Sequence, residues 1–167
     1  MPDAKKELQA KEQKEWVKSG GEFLTAAQTL ANASGAAAPI VHNAWQAAEN
    51  SLKALSVGHG YTPPKTHDFS KITSHLVRSN VLSSSEVMQL ASDMTIVSGS
   101  RNYSDTKYPS SNAIYWDTLP RQDITNVLFA TERIQNFVLQ KIGSPQTGSW
   151  NWDQKSASRE HKSQSPD

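Results

Sequence analysis

A chain of 167 residues with a formal net charge of +1 and no cysteine fits a single domain with one core, and excludes disulfides, thiol catalysis and thiolate metal sites. The near-zero charge supplies no overall field for a polyanion, so nucleic-acid binding requires a local cationic cluster. Its apolar runs fall short of the roughly 18 residues of a membrane span, and the start MPDAKKELQAKEQKEW has no apolar signal core, which predicts a soluble, cytoplasmic protein without membrane contact.

Residues 1–15 are mostly charged and lack an apolar face, so a frayed or disordered N-terminus is expected there. From Trp16 the pattern sharpens. Trp16, Gly20, Phe23, Ala27 and Leu30, flanked by Val17, Leu24 and Ala31, mark a first helix ending near Ala33. The Gly20-Gly21 pair costs on the order of 1 kcal/mol per glycine against alanine, and is compatible with either a close helix contact or a bend. Gly35 is the expected stop, and Pro39 stands near the start of the next helix, so the two form an antiparallel hairpin.

That next helix is the organising element. At about 100° per residue, Ile40, Val41, Ala44, Trp45, Ala48, Leu52 and Leu55 share one half of its wheel. The other half holds His42, Asn43, Gln46, Glu49, Asn50, Lys53, Ser56 and Val57. His42, Gln46, Glu49 and Lys53 follow i, i+4, i+7, i+11 spacing and form one narrow polar stripe. Such a stripe is ordinarily a solvated face with a Glu49 to Lys53 pair worth about 0.2–0.5 kcal/mol; the functional alternative is a polar wall of a site.

Gly58 and Gly60 end this helix, and Pro63 and Pro64 force an extended crossing. Thr66 or Asp68 caps a short helix whose buried positions are Phe69, Ile72 and Leu76. Between them His67-Asp68 reads as a cap that locks the turn rather than as a catalytic pair. Ser83 and Glu86 form a capping box ahead of Val87, Leu90, Ala91, Met94 and Val97. The stretch RNYSDTKYPSSNAIYW, from Arg101 to Trp116, has no period and is a loop of the length at which loops tend to be functional. A last helix starts around Leu119-Pro120 and carries Ile124, Val127, Leu128, Ile134, Phe137, Val138 and Ile142. Residues 143–167 are polar and low in aliphatics apart from Trp150 and Trp152, which predicts a disordered tail. The expectation is an all-α antiparallel bundle of four main helices plus one short helix, spanning residues 16–142.

The run AAENSLKALSVGHGYTPPKTHDFSKI resembles the signature of the HEPN (higher eukaryotes and prokaryotes nucleotide-binding) domain family. The matching residues are Gln46-Ala47-Ala48-Glu49, Lys53-Ala54-Leu55, Gly60, Pro63, Pro64 and His67-Asp68, with Lys107-Tyr108-Pro109 in place of an Arg-Tyr-Pro before the last helix. The resemblance implies a helical bundle, a homodimer, and nucleotide binding or ribonuclease activity, as in toxin-antitoxin and phage-defence systems. A nucleotidyltransferase is the protein partner it implies. In the ribonuclease branch an Arg is followed by four to six residues, the first of them often polar, and then by a His; from Arg101-Asn102 that His would fall at Thr106, Lys107 or Tyr108, and it is missing.

Arg101, Asn102, Lys107 and Tyr108 gather two cations, an amide and an aromatic ring in one loop, a grip suited to a phosphate and a base. Together with Gln46, Glu49 and Lys53 they make the candidate nucleotide or phosphate site, while Pro63, Pro64, His67 and Asp68 make the structural turn. The reading is a binding domain without efficient catalysis; a working ribonuclease would use Arg101 and Asn102 with Lys107, Tyr108 or His42 standing in for the missing His, and a dimerising scaffold is the third possibility. No histidine spacing matches a metal site, and neither a metal nor a cofactor is expected.

Overall fold

The fold is taken from a computed structural model, which describes residues 3–99, 103–106 and 118–143. Five α-helices make up the described residues: α1 (Ala4–Asn32), α2 (Ala37–Gly58), α3 (Phe69–Arg78), α4 (Ser84–Ser98) and α5 (Arg121–Ile142), with one 3-10 turn (Tyr103–Thr106) before α5. No strand occurs among them. With α3 only 10 residues long against 15 to 29 for the others, the bundle has the four long helices and one short helix that periodicity predicts.

The helix ends follow local chemistry. Asp68 caps α3, accepting from the Ser70 amide at 2.8 Å and its hydroxyl at 2.7 Å. Ser83 and Glu86 close the expected capping box on α4, and α5 ends at Gly143 in the left-handed region. After α1 the left-handed residue is Ser34, with φ 57°, one position before the glycine expected to stop the helix.

The N-terminal expectation needs correction. Residues 4–15 are helical, capped by Asp3, and α1 is one helix of 29 residues. Its first half is held by amides where apolar groups would ordinarily serve: Gln13 Nε2 donates to the Ala54 carbonyl at 3.1 Å, and the Gln13 and Gln9 side chains lie over Gly58 and Gly60, where a Cβ would come within 1.9 and 2.5 Å of them. Polar packing of this kind leaves no apolar period in the sequence.

Further along, Gly20 lets α1 approach α2 so closely that a Cβ there would stand 2.7 Å from Ser51 Oγ and 3.2 Å from the Ala47 carbonyl oxygen. The glycine pair therefore marks a close contact. The Gln9 to Gly60, Gln13 to Ala54 and Gly20 to Ser51 contacts run in opposite directions along the two helices, which establishes the antiparallel hairpin. Helices α4 and α5 are likewise antiparallel, tied by Asp93 to Arg133 at 2.7 Å and by Glu86 to Lys141.

Helix α2 runs through the middle. One apolar cluster joins Trp45, Ala48, Leu52 and Leu55 to α3, α4 and α5; a second joins Ile40, Val41 and Ala44 to the C-terminal end of α1 and the start of α5. From Ala44 to Val57 every residue except Gln46 is buried. The solvated-face reading of its polar half is thus wrong: neighbours cover the helix on all sides. Leu8, Tyr61 and Met88 are the large hydrophobics left exposed among the described residues, and none belongs to α2 or α5. No helix among the described residues is long and apolar enough to cross a membrane.

Candidate functional site

The polar stripe of α2 meets two other segments, the crossing after Pro64 and the 3-10 turn before α5. Glu49 is 2% exposed. Its Oε1 accepts from Lys53 Nζ at 2.7 Å, and its Oε2 accepts from His67 Nδ1 at 2.9 Å. Gln46 Nε2 lies 3.5 Å from the same Oε2 and donates to Tyr103 Oη at 2.8 Å. One buried carboxylate therefore organises an ammonium, an imidazole and an amide.

A buried carboxylate needs partners, because desolvating an unpaired charge costs several kcal/mol. Lys53 neutralises it from one side and is itself only 7% exposed, so its ammonium faces Glu49 and not solvent. The carboxylate accepts only, so His67 must carry its proton on Nδ1, and in the neutral ring Nε2 holds the lone pair. The His67 side chain is 52% exposed, and Nε2 has no partner among the described residues. This is the arrangement in which a carboxylate fixes the tautomer and orientation of an imidazole that works on something else.

His67 does not cap α3; Asp68 does. The His67 carbonyl instead accepts from Trp45 Nε1 at 3.0 Å, which pins the crossing to α2. Its ring stacks on Tyr103, with centroids 3.8 Å apart and planes 14° from parallel. Trp45 meets Tyr103 edge-on at 5.6 Å and stacks on Phe69 at 5.4 Å. The 3-10 turn is held from its far end as well: the Thr106 hydroxyl donates to the Tyr103 carbonyl at 2.7 Å and so accepts from His42 Nδ1 at 3.0 Å. His42, Gln46, Glu49 and Lys53 thus all face protein groups.

Against this wall lies a cleft of about 760 Å³ lined by Trp45, His67, Phe69, Met94, Ser98 and Tyr103 among others. Gln46, Glu49 and Lys53 do not line it; they stand behind His67 and Tyr103. The structure brings these five residues together, and His67 and Tyr103 are the two that stripe spacing missed. Arg101, Asn102, Lys107 and Tyr108 lie outside the described residues. The intervening 3-10 turn, from the same loop, packs on the α2 stripe through Tyr103 and Thr106.

At the start of α3, hydrogen bonds from the Ser70 hydroxyl and then the backbone amides hold the Asp68 carboxyl below the ordinary carboxylate range. Glu86 is lowered too, chiefly by Lys141 and then by the Ser83 amide. Both are structural groups. Among the described residues no set of three or more His, Asp or Glu side chains is arranged to hold a metal ion.

Among known protein families, the model of the HEPN domain matches residues 13–142, which takes in all five helices except the first turns of α1. No curated protein and no solved structure matches the chain.

Proposed function

That match takes in most of the chain, so the chain belongs to the HEPN domain family, and from this premise we propose that it binds a nucleotide or an RNA phosphate in the cleft beside His67, without efficient catalysis. One observation carries the reading: a buried carboxylate holds a half-exposed imidazole, stacked on Tyr103, at the wall of a cleft rich in aromatic rings. Aromatic and imidazole faces suit a base, with stacking worth about 1–3 kcal/mol per base. In this reading Arg101 and Lys107 supply cations to the phosphate, each charge-assisted bond worth about 1.5–3 kcal/mol, while Asn102 and Tyr108 add an amide and a ring. Gln46, Glu49 and Lys53 act as positioning residues through Tyr103 and His67, and Pro63, Pro64 and Asp68 fix the turn.

Thermal unfolding with nucleotides tests it. A ligand at 100 times its dissociation constant adds about 2.7 kcal/mol to stability, so a nucleotide that binds raises Tm measurably, and Arg101→Ala removes the rise without lowering the Tm of the free protein. A Tm indifferent to every nucleotide and to short RNA rejects the reading.

A second reading, metal-independent RNA cleavage, is favoured by the Glu49-held His67. In it Nε2 takes the proton of a 2′-hydroxyl as that oxygen attacks phosphorus; the bond from phosphorus to the 5′-oxygen breaks, and the leaving oxygen takes a proton from water. RNA fragments ending in a 2′,3′-cyclic phosphate, lost in His67→Ala, would establish this reading over the first. The homodimer, the nucleotidyltransferase partner and a place in toxin-antitoxin or phage-defence systems rest on the family resemblance; light scattering at tens of micromolar addresses the first.

A further inference from the structure

A second groove opens between α3 and α4, about 870 Å³ in volume. Lys65, Lys71 and Arg78 line it, with Val77, Val87 and Met88 between them, and no carboxylate lines it. Lys71, Ser74 and Arg78 stand at i, i+3 and i+7 of α3, hence on one face, and Lys65 reaches the same groove from the crossing. None of the three cations has an ion-pair partner among the described residues, whereas Lys18, Lys53, Arg133 and Lys141 each pair with a carboxylate. Asp68, the acid nearest Lys71 in sequence, gives its Oδ1 to Ser70; it feels the Lys71 charge but forms no ion pair with it.

This is the local cationic cluster that a chain of net charge +1 needs if it is to hold a polyanion. Three further observations choose the occupant. The groove shares Thr66, Ser70, Thr73 and Val87 with the His67 cleft, so the two are continuous. Lys71 and Arg78 are seven residues apart, about 10 Å along the helix at ~1.5 Å per residue, which is more than one phosphate spans. Met88 is 74% exposed and gives the rim an apolar surface beside the hydroxyls of Ser70, Ser74 and Ser84.

We propose that the α3–α4 groove carries the phosphodiester backbone of a single-stranded polynucleotide whose next nucleotide enters the His67 cleft. The proposal rests on the nucleotide-binding reading of that cleft, and it changes the ligand from a mononucleotide to a strand. Backbone phosphates lie on Lys65, Lys71 and Arg78, the hydroxyls of Ser74 and Ser84 add hydrogen bonds, and Met88 supports a base without reading its sequence.

The test compares wild type with the triple variant Lys65→Ala, Lys71→Ala, Arg78→Ala, using a labelled short oligouridylate and, separately, uridine monophosphate. All three side chains are exposed, so the variant is expected to fold, and an unchanged Tm verifies that. At fixed salt, oligonucleotide affinity is expected to fall tenfold or more. The slope of log K against log salt should shrink by about 2, since each lost phosphate contact on a single strand removes about 0.7. Mononucleotide affinity should stay at its wild-type value, because the three cations do not line the His67 cleft. Equal oligonucleotide binding by wild type and variant, or none by wild type, overturns the proposal. Loss of oligonucleotide binding in the variant, with no mononucleotide binding in either, keeps the groove and rejects the cleft. Polyglutamate competing as well as the oligonucleotide overturns the polynucleotide assignment in favour of an acidic peptide.

Discussion

Two stripes of α2 look alike in sequence and do opposite things. Toward α1 stand Ala47, Asn50, Ser51 and Ala54, small or neutral, meeting Ser19, Gly20 and Gln13: Asn50 Nδ2 donates to Ser19 Oγ at 3.0 Å, and the Ser51 hydroxyl turns back to the Ala47 carbonyl at 2.8 Å. Toward the crossing and the 3-10 turn stand Gln46, Glu49 and Lys53, whose bonds reach His67 and Tyr103. Both stripes carry polar side chains and both are largely buried. The difference lies in charge and reach: the first closes on itself and brings two helices together, whereas the second passes a buried charge outward to a half-exposed imidazole.

The sharpest way to break this contrast is to unpair the charged stripe. Glu49→Gln leaves the Lys53 ammonium buried without its carboxylate, and removing one partner of a buried pair costs about 3–5 kcal/mol. Denaturant unfolding should register that loss, and Glu49→Gln with Lys53→Met should recover much of it. If Glu49→Gln unfolds at the wild-type midpoint, the pair is not buried in solution. On the neutral stripe the expected cost is smaller. Gly20→Ala ordinarily gains about 1 kcal/mol in a helix, but here the added methyl is forced against Ser51 and the Ala47 carbonyl, and overpacking of about 1–3 kcal/mol turns the gain into a loss. A more stable Gly20→Ala variant would mean that α1 and α2 lie farther apart.

The crossing that carries His67 is anchored by the Asp68 cap. Asp68→Ala should cost about 1 kcal/mol, measured as a shift in the unfolding midpoint; an unchanged midpoint would show that the contacts of His67 with Trp45, Glu49 and Tyr103 hold the crossing without the cap. The smallest effect is on pH. Asp68 and Glu86 have folded values below their ordinary ones, so their contribution is fully present above the unfolded values of about 4. It fades as pH falls through the lower folded values. Tm should drop on the acid side of about pH 4, and Asp68→Asn with Glu86→Gln should flatten that drop. An equally steep drop in the double variant would assign the acid limb to other carboxylates.

Most of the fold was legible because its signals are local. The Ser83 to Glu86 capping box, the Asp68 cap and the Phe69, Ile72, Leu76 spacing each lie within a few residues, and each takes the expected place. The first half of α1 was not legible, because Gln9 and Gln13 pack polar groups onto Gly58 and Gly60. Within the site, the spacing of Gln46, Glu49 and Lys53 identified the stripe, but not its burial, which depends on segments folding back from elsewhere. The Glu49 to His67 bond joins positions 18 apart across an extended crossing, beyond the reach of any helical period. Two residues hinted at it: a histidine directly before the cap, and a tryptophan on the core helix whose ring N–H needed an acceptor.

On the proposed reading, His67, held by Glu49 and stacked on Tyr103, is part of the wall a base meets. Titrating uridine monophosphate into wild type and His67→Ala at one salt concentration, with both proteins shown folded by circular dichroism, tests it most directly. Losing a stacking surface worth about 1–3 kcal/mol predicts affinity about 5- to 150-fold weaker in His67→Ala. Equal affinities in the two proteins would contradict the account.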